Sequence, residues 1–291
     1  MRRWALAAAS VVLLASACLM TLPACGPATH PKSTAATIKE ILGHDPTGVA
    51  ATVAQKRMLI VGLDAAYPPQ SSVDPSTRRL IGFNVDVALK IAALLKTDVT
   101  FVTPGWDTMP AALSKGRCEV AVDSLPITPA NRSVMMFTAP YVYEKAVLLV
   151  PGSAAPLTDA SQLQGLTVGA VVQSVYQLWL ERLGGVNVQI YAEEGDATDA
   201  LMAGKVSGVM TDQATAYRLI DGGAPFALRG PFFYQALGLA TAPGQADLVA
   251  LLNHAVAEMG RDGSLARISA KWYDGHDLTK APPAGLPRYV P

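Results

Sequence analysis

Lys145-Ala146-Val147-Leu148-Leu149-Val150 is a short, almost wholly apolar run, and Ala236-Leu237-Gly238-Leu239-Ala240-Thr241 is its counterpart further along the chain. Both read as buried strands, and both sit where one pattern of alternating elements stops and another begins. If both strands cross between the two patterns, the chain leaves a first lobe, builds a second, and returns. A two-stranded crossing makes a hinge, and a hinge between two lobes makes a cleft able to close on a ligand.

Before the first run, short β-branched strands alternate with helical patterns. Met58-Leu59-Ile60-Val61-Gly62 is a strand by composition, and Val85, Ala88, Leu89, Ala92 and Leu95 share one helical face. Thr100 to Thr103 reads as strand, Trp106 to Ser114 as helix with Pro110 in its first turns, and Glu119 to Asp123 as strand. Between the two runs the alternation starts afresh. Strands are expected over Thr167 to Val171, Val188 to Tyr191 and Gly208 to Thr211, and helices over Tyr176 to Leu183, Asp196 to Ala203 and Gln213 to Ile220. Helices follow the second run, over Ala246 to Arg261 and Ser264 to Trp272. The expected fold class is α/β with two lobes, the first built from residues 51–145 and 236–275 and the second from 146–235. Residues 276–291, with Pro282-Pro283 near their start, read as a proline-rich tail with no reason to pack.

Composition excludes several function classes. The 23 Lys and Arg balance 23 Asp and Glu, and only 16% of residues are charged, so no electrostatic grip on nucleic acid is expected. Three cysteines and four histidines (His30, His44, His254, His276) show no metal-ligand spacing. No cofactor or metal is expected. There is no Gly-x-Ser-x-Gly elbow, Gly-x-Gly-x-x-Gly fingerprint or P-loop, so neither a serine nucleophile nor nucleotide binding is supported.

The first 24 residues read as a leader: Arg2 and Arg3, an apolar stretch from Trp4 to Met20, then Leu22-Pro23-Ala24-Cys25. That ending resembles a bacterial lipobox, which makes Cys25 the expected lipidation site and the membrane a partner through the lipid. Cut at Cys18 instead, the chain would keep Leu19 to Leu22 as an exposed apolar tether. The apolar stretch is too short for a spanning helix. Removing Arg2 and Arg3 leaves the mature chain with two more acidic than basic side chains. Residues 25–50 read as a mobile linker with a short helix near Ile38 to Leu42. With Cys25 lipidated, Cys118 has no intramolecular partner and reads as a packing thiol.

Several stretches, taken in order, resemble one family. They are Leu59-Ile60-Val61-Gly62-Leu63-Asp64-Ala65-Ala66-Tyr67-Pro68-Pro69, Ile81-Gly82-Phe83-Asn84-Val85-Asp86, Trp106-Asp107-Thr108-Met109-Pro110, Ile127-Thr128-Pro129, Phe137-Thr138-Ala139-Pro140-Tyr141 and Val209-Met210-Thr211-Asp212. Over about residues 55–275 the chain is similar to the family 3 periplasmic solute-binding proteins, the polar-amino-acid receptors of ABC importers. The resemblance implies a two-lobed periplasmic-binding-protein (Venus flytrap) fold with two hinge strands. It also implies a monomer with a small polar solute, an amino acid, between the lobes, and ABC permease subunits as partners. An amino acid needs fixed donors for its carboxylate and a carboxylate for its ammonium. By resemblance Asp212 meets the ammonium, while capping a helix as Asp readily does. Asp64 and Tyr67 match the pocket-lining loop, and Trp106 matches the aromatic that packs on the ligand.

The carboxylate side departs from the family pattern. The family's Thr-x-x-Arg becomes Thr128-Pro129-Ala130-Asn131-Arg132, so either Asn131 or Arg132 takes the clamp position. Ser124 belongs to this segment, and Pro126 replaces a residue with a hydroxyl. Ser174 keeps the hydroxyl of a helix-start anion grip that is otherwise only partly present. Two other readings fit the same fold. A cyclohexadienyl dehydratase-like enzyme would need a general acid, with Glu144, Glu193 and Glu194 as candidates. A sensor would report occupancy to a membrane signalling protein.

Overall fold

The computed structural model describes residues 33–290. The expected leader, Cys25 and the first part of the expected linker lie outside the described residues.

In the first lobe α1 (Thr34–Leu42) and α2 (Gly48–Lys56) precede β1 (Met58–Gly62). A small antiparallel meander follows: β2 (Ala66–Tyr67), β3 (Ser71–Val73) and β4 (Leu80–Ile81). Then come α3 (Phe83–Leu95), β5 (Asp98–Val102), a 3-10 turn (Trp106–Thr108) running into α4 (Met109–Ser114), β6 (Val120–Pro126), the single turn α5 (Pro129–Arg132) and β7 (Met136–Phe137). β8 (Val142–Pro151) leads into the second lobe, made of β9 (Thr167–Val171), α6 (Val175–Leu183), β10 (Asn187–Tyr191), α7 (Glu194–Met202), β11 (Gly208–Asp212) and α8 (Gln213–Asp221). β12 (Phe226–Thr241) returns, and α9 (Ala246–Arg261) and α10 (Ser264–Trp272) complete the first lobe.

The two expected crossing strands are longer than their apolar runs suggested, and they make one ladder of both lobes. The sheet runs β10-β9-β11-β8-β12-β6-β1-β5, with β7 also on β12. β8 pairs antiparallel with β12 from Val142↔Leu237 to Ala146↔Phe233, and again from Leu148↔Arg229 to Pro151↔Phe226. On the second-lobe side β11 joins β8, with Asp212 opposite Ala146; on the first-lobe side β6 joins β12, with Pro126 opposite Leu237. Tyr143 to Lys145 and Tyr234 to Ala236 therefore form the stretch where only two strands connect the lobes. Apolar side chains pack on both faces of the ladder in each lobe, around Leu59, Ile91 and Leu251 on one face of the first and around Val168, Leu180 and Phe233 on one face of the second. Each such side chain contributes about 1.5–3 kcal/mol by leaving water. Cys118 is buried in this packing and its thiol is pushed up to about 11 by burial, as an inert packing group.

Two expectations need correction. Residues 33–50 are not a mobile linker: Ser33 caps α1 through Oγ, Gly43 closes it in the left-handed region, and Ile38, Ala50 and Val53 are fully buried in the first-lobe core. The Thr- and Pro-rich composition concealed an apolar face spaced for a helix, Thr34-Thr37-Ile38-Ile41.

The proline-rich tail also packs. Leu278 is buried in the first-lobe core, and its carbonyl accepts from Tyr143 N at 3.2 Å. Pro287 O accepts from Tyr234 N at 3.0 Å and Tyr289 N donates to Tyr234 O at 2.9 Å, a single parallel bridge beside β12. Arg288 Nη2 donates to Ile127 O at 2.6 Å in the first lobe, while the Tyr289 ring packs on Phe233 in the second. The tail is thus tied to both lobes beside the hinge. Proline content limits backbone donors, but it does not prevent isolated side chains such as Leu278 and Tyr289 from filling a waiting surface.

Candidate functional site

The cleft lies where the crossing strands meet the carboxyl ends of β1, β6 and β11, the place where open α/β sheets offer side chains and backbone to a ligand. On the first-lobe side Asp64 follows β1 directly. Its Oδ1 accepts from Ala66 N at 2.9 Å and its Oδ2 from Trp106 N at 3.2 Å, so one carboxylate pins the loop of Tyr67 to the turn of Trp106. Asp64 N in turn donates to Asp123 Oδ1 at 2.8 Å. Ser124 has φ 50, and its Oγ and the Tyr141 hydroxyl both donate to buried Asn84 Oδ1. Asn84 sits in the first turn of α3 because Gly82, at φ 134, lets the strand of Gln70 and Ser71 come so close that a Cβ there would lie 2.4 Å from Gln70 O. That close approach sets the position of Gln70 at the edge of the cleft.

On the second-lobe side Asp212 ends β11 and caps α8, its Oδ1 accepting from Thr215 N at 2.7 Å. Across the cleft α8 touches the first lobe. Its Tyr217 ring stacks on His276 at 3.5 Å between centroids, and Asp221 Oδ2 lies 2.9 Å from His276 Nε2.

Two cavities open along this line. One of about 490 Å³ is lined from both lobes, by Tyr67, Gln70, Tyr273, Asp212 and Arg218 among others. A second of about 280 Å³ is lined by Asp64, Ala66, Tyr67, Trp106, Ser124, Pro126 and Glu144. Tyr67 belongs to both.

The carboxyl groups here are held unusually. Burial, with Asp212 adding to it, pushes the Glu144 carboxyl up, and the same two causes push Glu194 up to about 7. Burial raises Asp123 to about 7, with Asp64 adding to the rise and the bond from Asp64 N opposing it. Glu144, then burial and Asp212, push the Tyr67 phenol up as well.

The structure brings Asp64, Tyr67, Trp106, Ser124 and Pro126 together around one cavity and sets Asp212 across the cleft on the other. It does not bring in the remaining three candidates. Asn131 Nδ2 donates to Pro126 O at 2.8 Å and so braces its own turn. Arg132 is exposed and lines neither cavity. Ser174 is occupied as the cap of α6, its Oγ donating to Val171 O at 2.6 Å and accepting from Gln177 N at 3.1 Å. The α5 turn explains the first two. Thr128 Oγ1 caps it by accepting from Asn131 N, which fixes Asn131 inward on backbone and leaves Arg132 outward.

Site reading by family position missed Gln70, Tyr273 and Arg218, and it considered Glu144 only as an enzyme's acid. A carboxylate inside an apolar strand was the available signal, at Asp123 and at Glu144 alike.

The sequence profile of the bacterial extracellular solute-binding proteins, family 3, matches residues 59–275. The chain belongs to that family. This family 3 protein is 30% identical over 237 residues to the L-cystine-binding protein TcyJ of Escherichia coli K12, an alignment covering 80% of this chain and 88% of that one. It is 27% identical over 217 residues to the putative ABC transporter arginine-binding protein 2 of the same organism, covering 72% and 88%. In fold it matches the L-cystine solute receptor of Neisseria gonorrhoeae in its unliganded open conformation, with a TM-score of 0.71 at 19% identity over 81% of this chain and all of that one. The family 3 protein thus has the two-lobed fold of periplasmic receptors. Among its described residues no helix is long and apolar enough to cross a membrane, and no cluster of His, Cys, Asp and Glu could hold a metal.

Proposed function

We propose that this protein is a lipid-anchored extracytoplasmic receptor that closes its two lobes on a small polar solute, an amino acid, and presents it to an ABC importer. The observation that carries this reading is the cavity of about 490 Å³ shared by the lobes at their crossing, with Asp212 on one wall and Tyr67 and Gln70 on the other. Asp64, Tyr67, Trp106, Ser124 and Pro126 form the first-lobe wall, and Asp212 receives the ammonium. Anchoring rests on the lipobox-like Leu22-Pro23-Ala24-Cys25, and delivery to an importer rests on family membership.

A ligand held by both lobes binds the folded state alone, so saturation at 100 times Kd should stabilise the protein by about 2.7 kcal/mol. A thermal-shift screen with the proteinogenic amino acids and related amines tests the reading. Well-folded protein that no solute stabilises would overturn it. Cys25→Ala should move the protein from the membrane to the soluble fraction.

Glu144, with its raised carboxyl facing a cavity, is the one feature that would suit a dehydratase. A dianionic substrate such as prephenate would meet Glu144, Asp212 and Asp64, with Arg218 at the exposed rim as the one basic side chain lining the two cavities, so the receptor reading is favoured. Turnover of prephenate or arogenate that Glu144→Gln abolishes would reverse that preference.

A further inference from the structure

An amino-acid zwitterion brings one negative and one positive group into a cleft, and a receptor for it must answer both. Here only one of the two is answered. The residues expected to clamp a carboxylate are turned elsewhere: Asn131 is bonded to Pro126 O, Arg132 is in solvent, Ser174 is used as a cap, and Pro126 has no donor. Arg218, exposed at the rim, is the one basic side chain lining either of the two cavities.

The positive group is answered several times over. Asp212 stands opposite Ala146 in the ladder, and Glu144, two residues before Ala146 on the same face, is its diagonal neighbour across the β8–β11 step, about 7–8 Å away along the sheet. Among the described residues neither is in an ion pair, and the same holds for Asp64 on the smaller cavity. A second kind of observation points the same way. Gln70 is only 7% exposed, lines the larger cavity, and its Oε1 has no hydrogen-bond partner; Gln213 Oε1, beside Glu144 in the narrow space between the lobes, also has none. A buried acceptor left without a donor is destabilising, and a ligand with N–H groups would relieve it.

We propose that the cleft selects organic cations of net positive charge, with Asp212 and Glu144 receiving two nitrogen groups of one ligand, and that the ligand's carboxylate is not what is recognised. The ligand class is then the dibasic amino acids and the diamines or guanidino-amines that correspond to them. This rests on the receptor reading and narrows it. Like-charge crowding in the empty cleft agrees with it, since Glu144 and Glu194 are both shifted toward their neutral forms by burial and by Asp212.

The test uses isosteres that differ in one charge, titrated by calorimetry into the purified full chain: arginine against citrulline, and arginine against agmatine. Arginine is expected to bind at least about 30-fold more tightly than citrulline, and agmatine within about 10-fold of arginine. Glu144→Gln should bring the arginine-to-citrulline ratio below about 5 while leaving the melting curve cooperative. Citrulline binding as tightly as arginine, or agmatine not binding where arginine does, overturns the inference, and neither comparison needs a variant to fold. Tight binding of neutral amino acids alone would sink the cation selectivity and leave the receptor standing; no stabilisation by any solute would sink the receptor.

Discussion

Glu144 and Lys145 are adjacent in β8, at the point where two strands alone join the lobes, and they meet opposite fates. Alternation along the strand turns Glu144 to the cleft, where its carboxyl has no basic partner and is pushed toward its neutral form by burial. Lys145 turns to the other face, where Nζ donates to Lys280 O in the packed tail; burial pushes its ammonium down and Asp277 opposes that fall. One side of the hinge is completed by the chain itself, and the other is left for something else to complete. A protein that needed only stability would treat both sides alike. A carboxyl without a basic partner on one face of a ribbon, against an ammonium that the chain itself bonds on the other, marks the first face as the one that waits for a ligand.

The largest expected break in this contrast is on the completed side. Tyr289→Ala removes a buried ring packed on Phe233 and under Arg182, and should cost about 3–5 kcal/mol in urea unfolding. Ligand affinity should change little, because Tyr289 lines neither cavity. Tyr289→Phe should be close to neutral, since the hydroxyl is buried without a partner. A large loss from the Phe variant would show that the hydroxyl is bonded in solution.

The pH dependence is of similar size. Asp123 and Glu194 titrate near 7 when folded, against 3.8 and 4.5 ordinarily. Between about pH 4 and pH 7 the folded protein therefore holds more protons than the unfolded chain, and its stability falls as pH rises through that window. Asp262, held low by Ser264 and Lys90, has finished titrating well below it. Ligand-free protein should be more stable at pH 5 than at pH 8 by about 4–5 kcal/mol, and Asp123→Asn should remove about half of the difference. Equal urea midpoints at the two pH values would mean that these carboxyls ionise normally. A bound cation should erase much of the difference by favouring the ionised forms.

On the waiting side Asp212→Asn keeps the helix cap and removes the charge, so calorimetry should show affinity falling about 100-fold, or about 2.7 kcal/mol, with the melting temperature nearly unchanged. Unaltered affinity would remove Asp212 from the site.

The smallest effect concerns Ser174. Ser174→Ala should lose about 1 kcal/mol of stability with its cap and leave affinity within about twofold. A tenfold loss of affinity would return Ser174 to the ligand.

The hinge was legible in the sequence because buried strands bounded by changes of pattern leave a one-dimensional trace. The loop of Asp64 and Tyr67, the aromatic at Trp106 and the cap at Asp212 were legible because each is fixed by local chemistry at a strand end. Asn131 and Arg132 could not be separated that way. Which of the two points inward is decided by the capped turn that begins at Thr128 and by the Pro126 carbonyl that Asn131 reaches. The packing of Leu278 and Tyr289 was illegible for a different reason. Nothing in a proline-rich segment records the shape of a surface built by residues far back in the chain. Glu144 stood in plain view, but its meaning depends on Asp212 being its diagonal neighbour, and strand pairing is not written in either residue.

The ladder between β8 and β12 has one irregularity, between Arg229 and Phe233, on the second-lobe side of the crossing. The pairs from Ala146↔Phe233 to Val142↔Leu237 are regular. Side chains alternate with each residue, so a slip of one position there would exchange Glu144 for Lys145 at the cleft wall. The register of that short ribbon decides whether Glu144 or Lys145 faces the cleft, and a single-residue deletion in β8 ahead of Glu144 would replace one carboxylate of the wall by an ammonium while leaving Asp64 and Asp212 in place.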